Sequence, residues 1–357
     1  MGKIINREEF IADLKAVKPG IAKYEILEQS DCIVFDAESK RVYTFNDEMA
    51  CFIKLDLSIT GAVVASVLLD LLGKLKDDEI EVFQDDVYFK IKSGRIESGV
   101  ACEQVIRLPI TVLEHPRKED WQPLPENFNA AVMMAESCVS KSDADFSMSS
   151  IHVTSTHLES ANLSQMCRFT IDLPIKSSFL VRHGNLESIT KVGVTYCAET
   201  ENWWHFKGEG GLRICCRKFN ESYIEDFDAI LEKAGKIGES NGSGQVGVNV
   251  LLPSQLIDDA KTAAMFSKDN LSGRDVLVVK FSGEKQCVIL KGEGILGFFK
   301  SQTDCEYHGE DLSFAISPKL FLEMMRQYKT CTVLPKSIKV SGDQFVFLTS
   351  IETVEEK

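Results

Sequence analysis

The polar residues that could do chemistry are scattered along the sequence. It contains no HExxH and no GxxxxGK[ST] pattern. The densest cluster is His308 with Asp304, Glu306 and Glu310. Neither a nucleophile nor the ligand spacing of a zinc site accompanies it. We therefore interpret this cluster as a polar turn, and we predict a protein that is not an enzyme and has no metal or cofactor.

Cysteine usage and hydropathy indicate the cellular setting. The chain has eleven cysteines and no CxxC pair, and most of them lie in apolar, strand-like runs. Such cysteines are expected to be free, buried thiols in a reducing compartment. No apolar run approaches the roughly 18 residues of a membrane span, and the N-terminal residues lack a secretory signal. We expect a cytoplasmic protein.

The charge balance limits how the protein can bind nucleic acid. Forty Lys and Arg residues face 54 Asp and Glu residues, for a net charge of −14. An acidic protein does not adhere to DNA through its whole surface, because non-specific binding depends on neutralising phosphates. A localised basic lining remains compatible with this composition.

The helices and strands recur in one order along the chain. Amphipathic first helices are predicted near residues 7, 126 and 254, and second helices near residues 67, 177 and 318. Asn6 is a suitable N-cap, Pro318 suits a first helical position, and a short helix from residue 177 carries Arg182. Each helix is followed by short strands separated by turns. The pattern predicts an α+β protein, although any large α+β chain yields helices and strands in some order.

Two connectors divide this pattern into three modules of similar size. Residues 115–125 are rich in proline, and residues 232–244 are rich in glycine. We predict modules at residues 1–117, 122–236 and 244–357, each with two helices packed on antiparallel sheets.

Several segments resemble the bacterial DNA polymerase III beta subunit, the DNA sliding clamp family. They are REEFIADLKAVKPG (7–20), VYTFNDEMACF (42–52), FKGEGGLRICCRKFNESY (206–223), DDAKTAAMFSKD (258–269), FKSQTDCEYHGEDLSFAISPKLFLEMM (299–325) and QFVFLTS (344–350). The resemblance implies the DNA clamp fold and a head-to-tail homodimeric ring of six modules. In such a ring the helices line a channel around duplex DNA, and the protein acts as a processivity factor that tethers a DNA polymerase.

The resemblance also implies three sets of functional residues. Candidate channel-lining residues lie on the polar faces of predicted helices: Lys15, Lys18, Lys74, Arg182, Lys261, Lys319, Arg326 and Lys329. The subunit contact corresponds to Met265 and Phe266. The pocket for short linear peptides of the polymerase and clamp loader corresponds to Ser155, Thr156, Leu158, Asn220, Ser337, Val346, Phe347, Leu348 and Thr349.

The peptide pocket departs from the family pattern at two places. The usual Thr-Asp-Gly-His-Arg-Leu turn is replaced by STHLES (155–160), which puts Glu159 where an arginine is usual. The usual closing Met-Pro-Met-Arg-Leu is replaced by LTSIE (348–352), followed by an acidic tail. Standard peptide motifs are therefore expected to bind weakly, and a phage-encoded or otherwise specialised clamp with its own partner would explain the changes.

Two interpretations follow for the function. The first is a sliding clamp that encircles DNA, and the second is a protein-binding scaffold that keeps the clamp fold without encircling DNA. For any one of the candidate lysines, a solvated surface position is the simpler interpretation. Their joint placement on helices is the observation that favours the clamp.

Overall fold

The computed structural model describes residues 2–350 except residues 26, 143, 164, 225, 237–246, 268–274, 328 and 335–336. The predicted acidic tail and most of the glycine-rich linker lie outside these residues. In chain order the elements are β1 (Lys3–Asn6), α1 (Arg7–Ala16), β2 (Cys32–Asp36), β3 (Arg41–Phe45), β4 (Met49–Lys54), β5 (Gly61–Val64), α2 (Ala65–Lys74), β6 (Glu79–Gln84), β7 (Tyr88–Ser93), β8 (Ile96–Glu103), β9 (Gln122–Pro123), α3 (Phe128–Cys138), β10 (Ser150–Val153), β11 (His157–Ala161), β12 (Gln165–Thr170), β13 (Phe179–Arg182), α4 (Asn185–Thr190), β14 (Val194–Glu199), β15 (Trp203–Gly208), β16 (Arg213–Arg217), α5 (Phe227–Lys236), β17 (Val248–Leu251), α6 (Leu256–Phe266), β18 (Leu277–Ser282), β19 (Cys287–Gly294), β20 (Gly297–Asp304), β21 (Leu312–Ile316), α7 (Pro318–Gln327), β22 (Thr330–Leu334), β23 (Ser337–Ser341) and β24 (Phe345–Ser350).

The order of these elements repeats three times. A strand, a helix, four strands, a second helix and three strands form the first repeat (β1 to β8), the second repeat (β9 to β16) and the third repeat (β17 to β24). Helix α5 stands outside this order, between the second and third repeats. The recurrence confirms the predicted α+β class with two helices per repeat. The predicted module boundaries at residues 117–122 and 236–244 stay a prediction.

Local signals explain where several helices begin. The side chain of Asn6 accepts a hydrogen bond from the backbone N–H of Glu9 at 3.0 Å, which caps α1 as predicted. Helix α7 begins at Pro318, where the missing N–H costs no hydrogen bond. Helix α2 begins at Ala65, two residues earlier than expected, without a side-chain cap.

The short helix predicted from residue 177 is wrong. Residues Phe179–Arg182 form β13, and the helix, α4, begins only at Asn185. Phe179, Leu180 and Val181 are all buried, and a run that is apolar on both faces suits a covered strand. Gly184 precedes the helix with a positive φ of 79°, a conformation that glycine adopts without steric cost.

The predicted connectors contain ordered elements. Strand β9, within residues 115–125, pairs with β14. Helix α5 covers residues 227–236, so the linker prediction is wrong for residues 232–236. The glycine-rich composition of residues 232–244 indicated a linker and gave no sign of this helix. The helix is recognisable only from its amphipathic pattern, in which Phe227 and Leu231, four residues apart, lie on one face.

The chain divides into two compact units, Met1–Glu126 with Leu173–Asn220, and Asn127–Asp172 with Glu221–Lys357. The first unit contains a continuous antiparallel sheet in the order β1-β6-β7-β8-β5-β2-β3-β4-β16-β15-β14-β9. In it, α1 packs against α2, and Phe10 of α1 stacks on Phe89 of β7 with ring centroids 6.5 Å apart.

The second unit contains two antiparallel sheets. One runs β10-β11-β12-β24-β23-β22-β17, and the other runs β20-β19-β18-β21. Helix α3 packs on β11 and β12, and α6 packs on β19 and α7. On α7, Phe321, Met324 and Met325 are buried as the amphipathic pattern predicted.

All eleven cysteines are free and buried, which confirms the interpretation of them as small core side chains. Among the described residues, no helix is both long and apolar enough to cross a membrane.

Candidate peptide-binding, subunit and nucleic-acid surfaces

Strands of successive repeats pair at two places, which we call the first and second repeat boundaries. At the first boundary β4 pairs with β16, and at the second β12 pairs with β24. In both cases the third strand after the first helix of one repeat joins the last strand of the next repeat. The predicted peptide pocket falls on the second boundary.

The two faces of the sheet at the second boundary have different environments. In an antiparallel sheet, directly paired residues lie on the same face, and so do alternate residues along one strand. By this rule Leu158, Cys167 and Phe347 all point to the face that α3 covers. Ser160 on this face donates a hydrogen bond to the carbonyl oxygen of Ala135 in α3 at 2.6 Å. We call it the inner face, and we call the opposite one the outer face.

The predicted pocket residues are divided between these faces. Val346 and Leu348 lie on the outer face and are half-buried. Leu158, Phe347 and Thr349 lie on the inner face and are buried, so they offer no accessible surface to a peptide. The prediction that these three line the pocket is wrong, because the sequence pattern does not tell which face a helix covers.

The remaining predicted pocket residues lie at the ends of strands. Ser155 and Thr156 are exposed in the turn between β10 and β11. Ser337 begins β23 and is half-buried. Asn220 belongs to the other compact unit and stays a prediction as a pocket residue.

Helix α5 covers part of the outer face. Phe227 is buried against Ala161 and Met166, and Tyr223, Ile224, Leu231 and Leu348 pack around this cluster. The chain itself therefore supplies one apolar wall beside Val346 and Leu348. Sequence reasoning missed this wall because it predicted no helix before the linker at residues 232–244.

Beside this wall, the outer face carries a network of charged side chains centred on Glu159. The carboxylate of Glu159 lies 2.7 Å from Nδ1 of His152 and 3.4 Å from Nε2 of His157. Arg168, on the neighbouring strand, donates from Nε to Glu159 at 2.7 Å and from a terminal nitrogen to Asp228 of α5 at 2.6 Å. His152 also stacks on Tyr223, with ring centroids 4.7 Å apart. The network ties α5 to the sheet.

The environment of Glu159 keeps it ionised. Burial alone would raise its pKa, but hydrogen bonds from His152 and His157 and the charge of Arg168 lower the pKa to about 2. Glu159 was identified in the sequence as a charge reversal relative to the family pattern. The structure explains the reversal, because Arg168 on the next strand supplies the opposite charge.

His152, His157 and Glu159 also form a group of possible metal ligands, with ligand atoms within 4.8 Å of one another. The carboxylate already accepts hydrogen bonds from Arg168 and lies beside both rings, which describes an internally neutralised network. The expectation of no metal therefore stays a prediction.

Most of the candidate channel residues are exposed on helices or at their ends. Lys15, Lys18, Lys74, Lys261, Lys319, Arg326 and Lys329 are all exposed. Lys261 forms an ion pair with Asp258 on its own helix at 2.7 Å. On α1, Phe10 and Leu14 face the core, so Lys15 lies on the solvent side as predicted.

Arg182 does not belong with this set. It lies on strand β13 rather than on a helix, and its Nε atom is 3.5 Å from Oε1 of Glu48. The two helices of the second repeat, α3 and α4, contain no lysine or arginine. The second repeat therefore contributes no basic helix residue, which the sequence prediction did not anticipate.

The predicted subunit-contact residues lie beside a free strand edge. Met265 is 65% exposed at the end of α6, and Phe266 stacks on Phe299 of β20 with ring centroids 6.5 Å apart. The β19–β20 hairpin adds further exposed apolar side chains, namely Ile295, Leu296 and Phe298. β20 itself pairs on one side only, with β19, within the described residues. An exposed strand edge with apolar neighbours is a site for association.

Comparison with known proteins gives a structural match alone. No protein-family model and no curated protein matches the sequence. A putative DNA polymerase III beta subunit from Eubacterium rectale matches with a TM-score of 0.71 at 14% identity, over 99% of each chain. The beta subunit of Streptococcus pyogenes gives a TM-score of 0.70 at 14% identity, over 99% of this chain and 100% of that chain. The DNA polymerase sliding clamp of Bacillus subtilis gives a TM-score of 0.69 at 12% identity, over 99% of each chain.

The fold is therefore that of the DNA sliding clamps. Within that class, the solved structures to which the chain is similar include bacterial DNA polymerase III beta subunits. This confirms the fold that the resemblance implied, over almost the whole chain.

Proposed function

We propose that the protein is a sliding clamp, a homodimeric ring that encircles duplex DNA and tethers a DNA polymerase. The observation that carries the proposal is the strand pairing between repeats. β4 pairs with β16 and β12 pairs with β24, so the equivalent strand of the third repeat, β20, is left for a partner. The equivalent last strand of the first repeat is β8.

The edges of β20 and β8 fit this role. Within the described residues, β8 pairs with β7 from Ile96 to Ala101 and with β5 only at Cys102 and Glu103. One side of residues 96–101 is thus open to another strand. If β20 of one copy pairs with β8 of a second copy, and the reverse, all six boundaries are equivalent and the assembly closes.

Encircling DNA suits the charge of the chain. A ring holds DNA by topology, so it needs few phosphate contacts, and strong contacts would hinder sliding. Exposed basic residues on α1, α2, α6 and α7 support a channel lining, namely Lys15, Lys74, Lys261, Lys319 and Arg326. Lys18 and Lys329 lie just beyond helix ends and belong to the same proposal.

For partner proteins, we propose that a short linear peptide binds the outer face of the second boundary. Val346 and Leu348 would contact its apolar side chains, and α5 would form the adjacent wall. An extended segment with a few anchoring side chains fits such a half-buried surface. DNA polymerase and clamp-loader subunits are the partners that the proposal implies.

A second function, a clamp-fold scaffold that does not encircle DNA, has one specific observation in its favour. Helices α3 and α4 carry no basic residue, so a channel would lack basic side chains along its second repeats. The experiment below separates the two functions.

The test combines solution mass with retention on DNA. The wild-type chain of 39.9 kDa is expected to have the mass of a dimer at micromolar concentration. Once loaded, it should stay on nicked circular DNA and be lost when the circle is cut. Phe266→Asp is expected to give a folded monomer that is not retained, because a charge is placed in the apolar subunit contact.

Leu163→Asp is the matched control, since Leu163 is 92% exposed and lies in the same compact unit, between β11 and β12, whose sheet does not contain β20. It should remain a dimer. A monomeric wild-type protein, or equal retention on circular and linear DNA, would contradict the ring. A dimer that is never retained on circles would favour the scaffold.

A further inference from the structure

The first repeat boundary carries a cleft that the clamp function does not use. Its floor is the face of β3, β4, β16 and β15 that carries Tyr43, Phe52 and Cys215, which we call the outer face of the first boundary. Residues after β8 cover part of it. Leu108 and Leu113 of that covering segment are buried against Tyr43 and Phe45. Beyond them the face opens into a shallow cleft with about 30 Å³ of water-accessible space, lined among others by Arg41, Phe52, His115, Trp121, His205 and Arg213. All these residues belong to the first compact unit.

Cations dominate the rim of this cleft. Arg41 and Arg213 are exposed, and Lys207 on β15 lies directly opposite Arg213 on β16. Within the described residues, none of these three side chains has a carboxylate within 4.0 Å. The nearby carboxylate of Glu114 accepts hydrogen bonds from Asn202 instead. Burial, with the charge of Arg213, lowers the pKa of Lys207, as expected for a cation that lacks an anionic partner.

This arrangement is unusual in an acidic protein. With 54 acidic and 40 basic residues, a random surface cluster contains carboxylates. At the second boundary, the outward-facing Arg168 is neutralised by Glu159 and Asp228. At the first boundary the corresponding neutralisation is absent from the residues that the structure describes. A concave group of cations without carboxylates attracts an anion.

Aromatic side chains form the walls of the same cleft. Trp121 lies under the ammonium group of Lys207, 3.5 Å from its ring centroid. Phe52 packs on Tyr43 with ring centroids 5.8 Å apart. His205 is buried behind them, and burial, with the nearby His115, lowers its pKa to about 4, so it stays neutral at pH 7. Flat apolar walls beside arginines suit a ligand that combines a ring with a phosphate.

We propose that this cleft binds a nucleotide, with Arg41 and Arg213 on the phosphate and with Trp121 and Phe52 beside the base. The nucleotide is either free or part of a single strand, since both present the same phosphate and base. An acidic peptide would match the charge, but it would leave the aromatic walls without a planar partner.

The experiment measures binding of thymidine monophosphate and of a short oligothymidylate to the full chain. Tryptophan fluorescence and calorimetry report the affinity. Arg41→Gln and Arg213→Gln are each expected to weaken binding about tenfold, because each removes a charge-assisted hydrogen bond. Binding should also weaken as salt concentration rises. Trp121→Phe is expected to remove most of the fluorescence change while calorimetry still detects binding.

Two controls locate the ligand. Arg95→Gln changes the net charge equally in the exposed turn after β7, outside the cleft, and should leave the affinity unchanged. Lys319→Gln with Arg326→Gln alters the proposed channel and should also leave it unchanged. If oligothymidylate binds more than tenfold tighter than the mononucleotide, the ligand is a single strand, whereas similar affinities assign a free nucleotide.

Several results would overturn the proposal. They are no binding of either probe at millimolar concentration, binding that is indifferent to both arginine variants, or equally tight binding of a polyglutamate peptide. The outcome is independent of the ring, because the whole cleft lies within one unit of one chain. A monomeric, folded Phe266→Asp variant should bind the nucleotide as wild type does.

Discussion

The two repeat boundaries share one backbone arrangement and differ in what they carry on their outer faces. At both, antiparallel strands of successive repeats pair, and a segment of the chain packs over part of the sheet. The second boundary carries a network of paired charges, with Arg168 between Glu159 and Asp228. Within the described part of the chain, the first boundary carries Arg41, Arg213 and Lys207 without a carboxylate in contact. Equivalent sites of one repeated fold can therefore serve different ligands, because side chains rather than backbone determine what binds.

The difference has a consequence for stability. Removing one partner of a partly buried ion pair destabilises the native state, because the other charge is left uncompensated. Cations that repel one another across a cleft destabilise it slightly until an anion binds. The three predictions below test this contrast.

The largest expected effect concerns the arginines of the two boundaries. Arg168→Gln should lower the free energy of unfolding by about 3 kcal/mol, because the buried carboxylate of Glu159 loses its guanidinium partner. Arg213→Gln, the matched substitution at the first boundary, should change it by less than about 0.5 kcal/mol. Urea unfolding at pH 7 measures both. Equal losses in the two variants would contradict the contrast.

A second effect concerns the buried histidine of the first boundary. His205 has its pKa lowered to about 4, so between pH 6.5 and pH 4 the unfolded chain binds a proton that the folded chain does not. Stability is therefore lost as the pH falls through this window. Relative to His205→Gln, the wild type should lose about 2 kcal/mol more between pH 7 and pH 5. Parallel pH profiles for the two proteins would show that His205 titrates normally.

The smallest expected effect separates the two ion pairs of Arg168. The carboxylate of Asp228 is 79% exposed, whereas that of Glu159 is 4% exposed. Asp228→Asn should cost only about 0.5 kcal/mol in low salt, because solvent and ions screen an exposed pair. The loss should vanish at high salt, whereas that of Arg168→Gln should persist. A large, salt-independent loss would mean that Asp228, rather than Glu159, holds α5 on the sheet.

The sequence by itself determined the repeated architecture and the helix ends with strong local signals. Asn6 and Pro318 mark the starts of two helices. Both signals act within a few residues of the helix end, so they do not depend on contacts with distant parts of the chain. The alternation of apolar residues identified most strands, and the cysteines in those strands are buried as expected. The resemblance then identified the clamp fold, which the solved structures confirm.

Only the tertiary structure decided which side chains share a surface. The period-two pattern of a strand shows that Leu158 and Glu159 face opposite ways, but not which of the two faces α3 covers. The meeting of Glu159 with Arg168 depends on strand register, and Arg41 and Arg213 line one cleft only because β4 pairs with β3 and with β16. The same reason explains the errors at β13 and α5, where burial by distant residues outweighed local composition. Local propensity thus determined the elements, and long-range packing determined the sites.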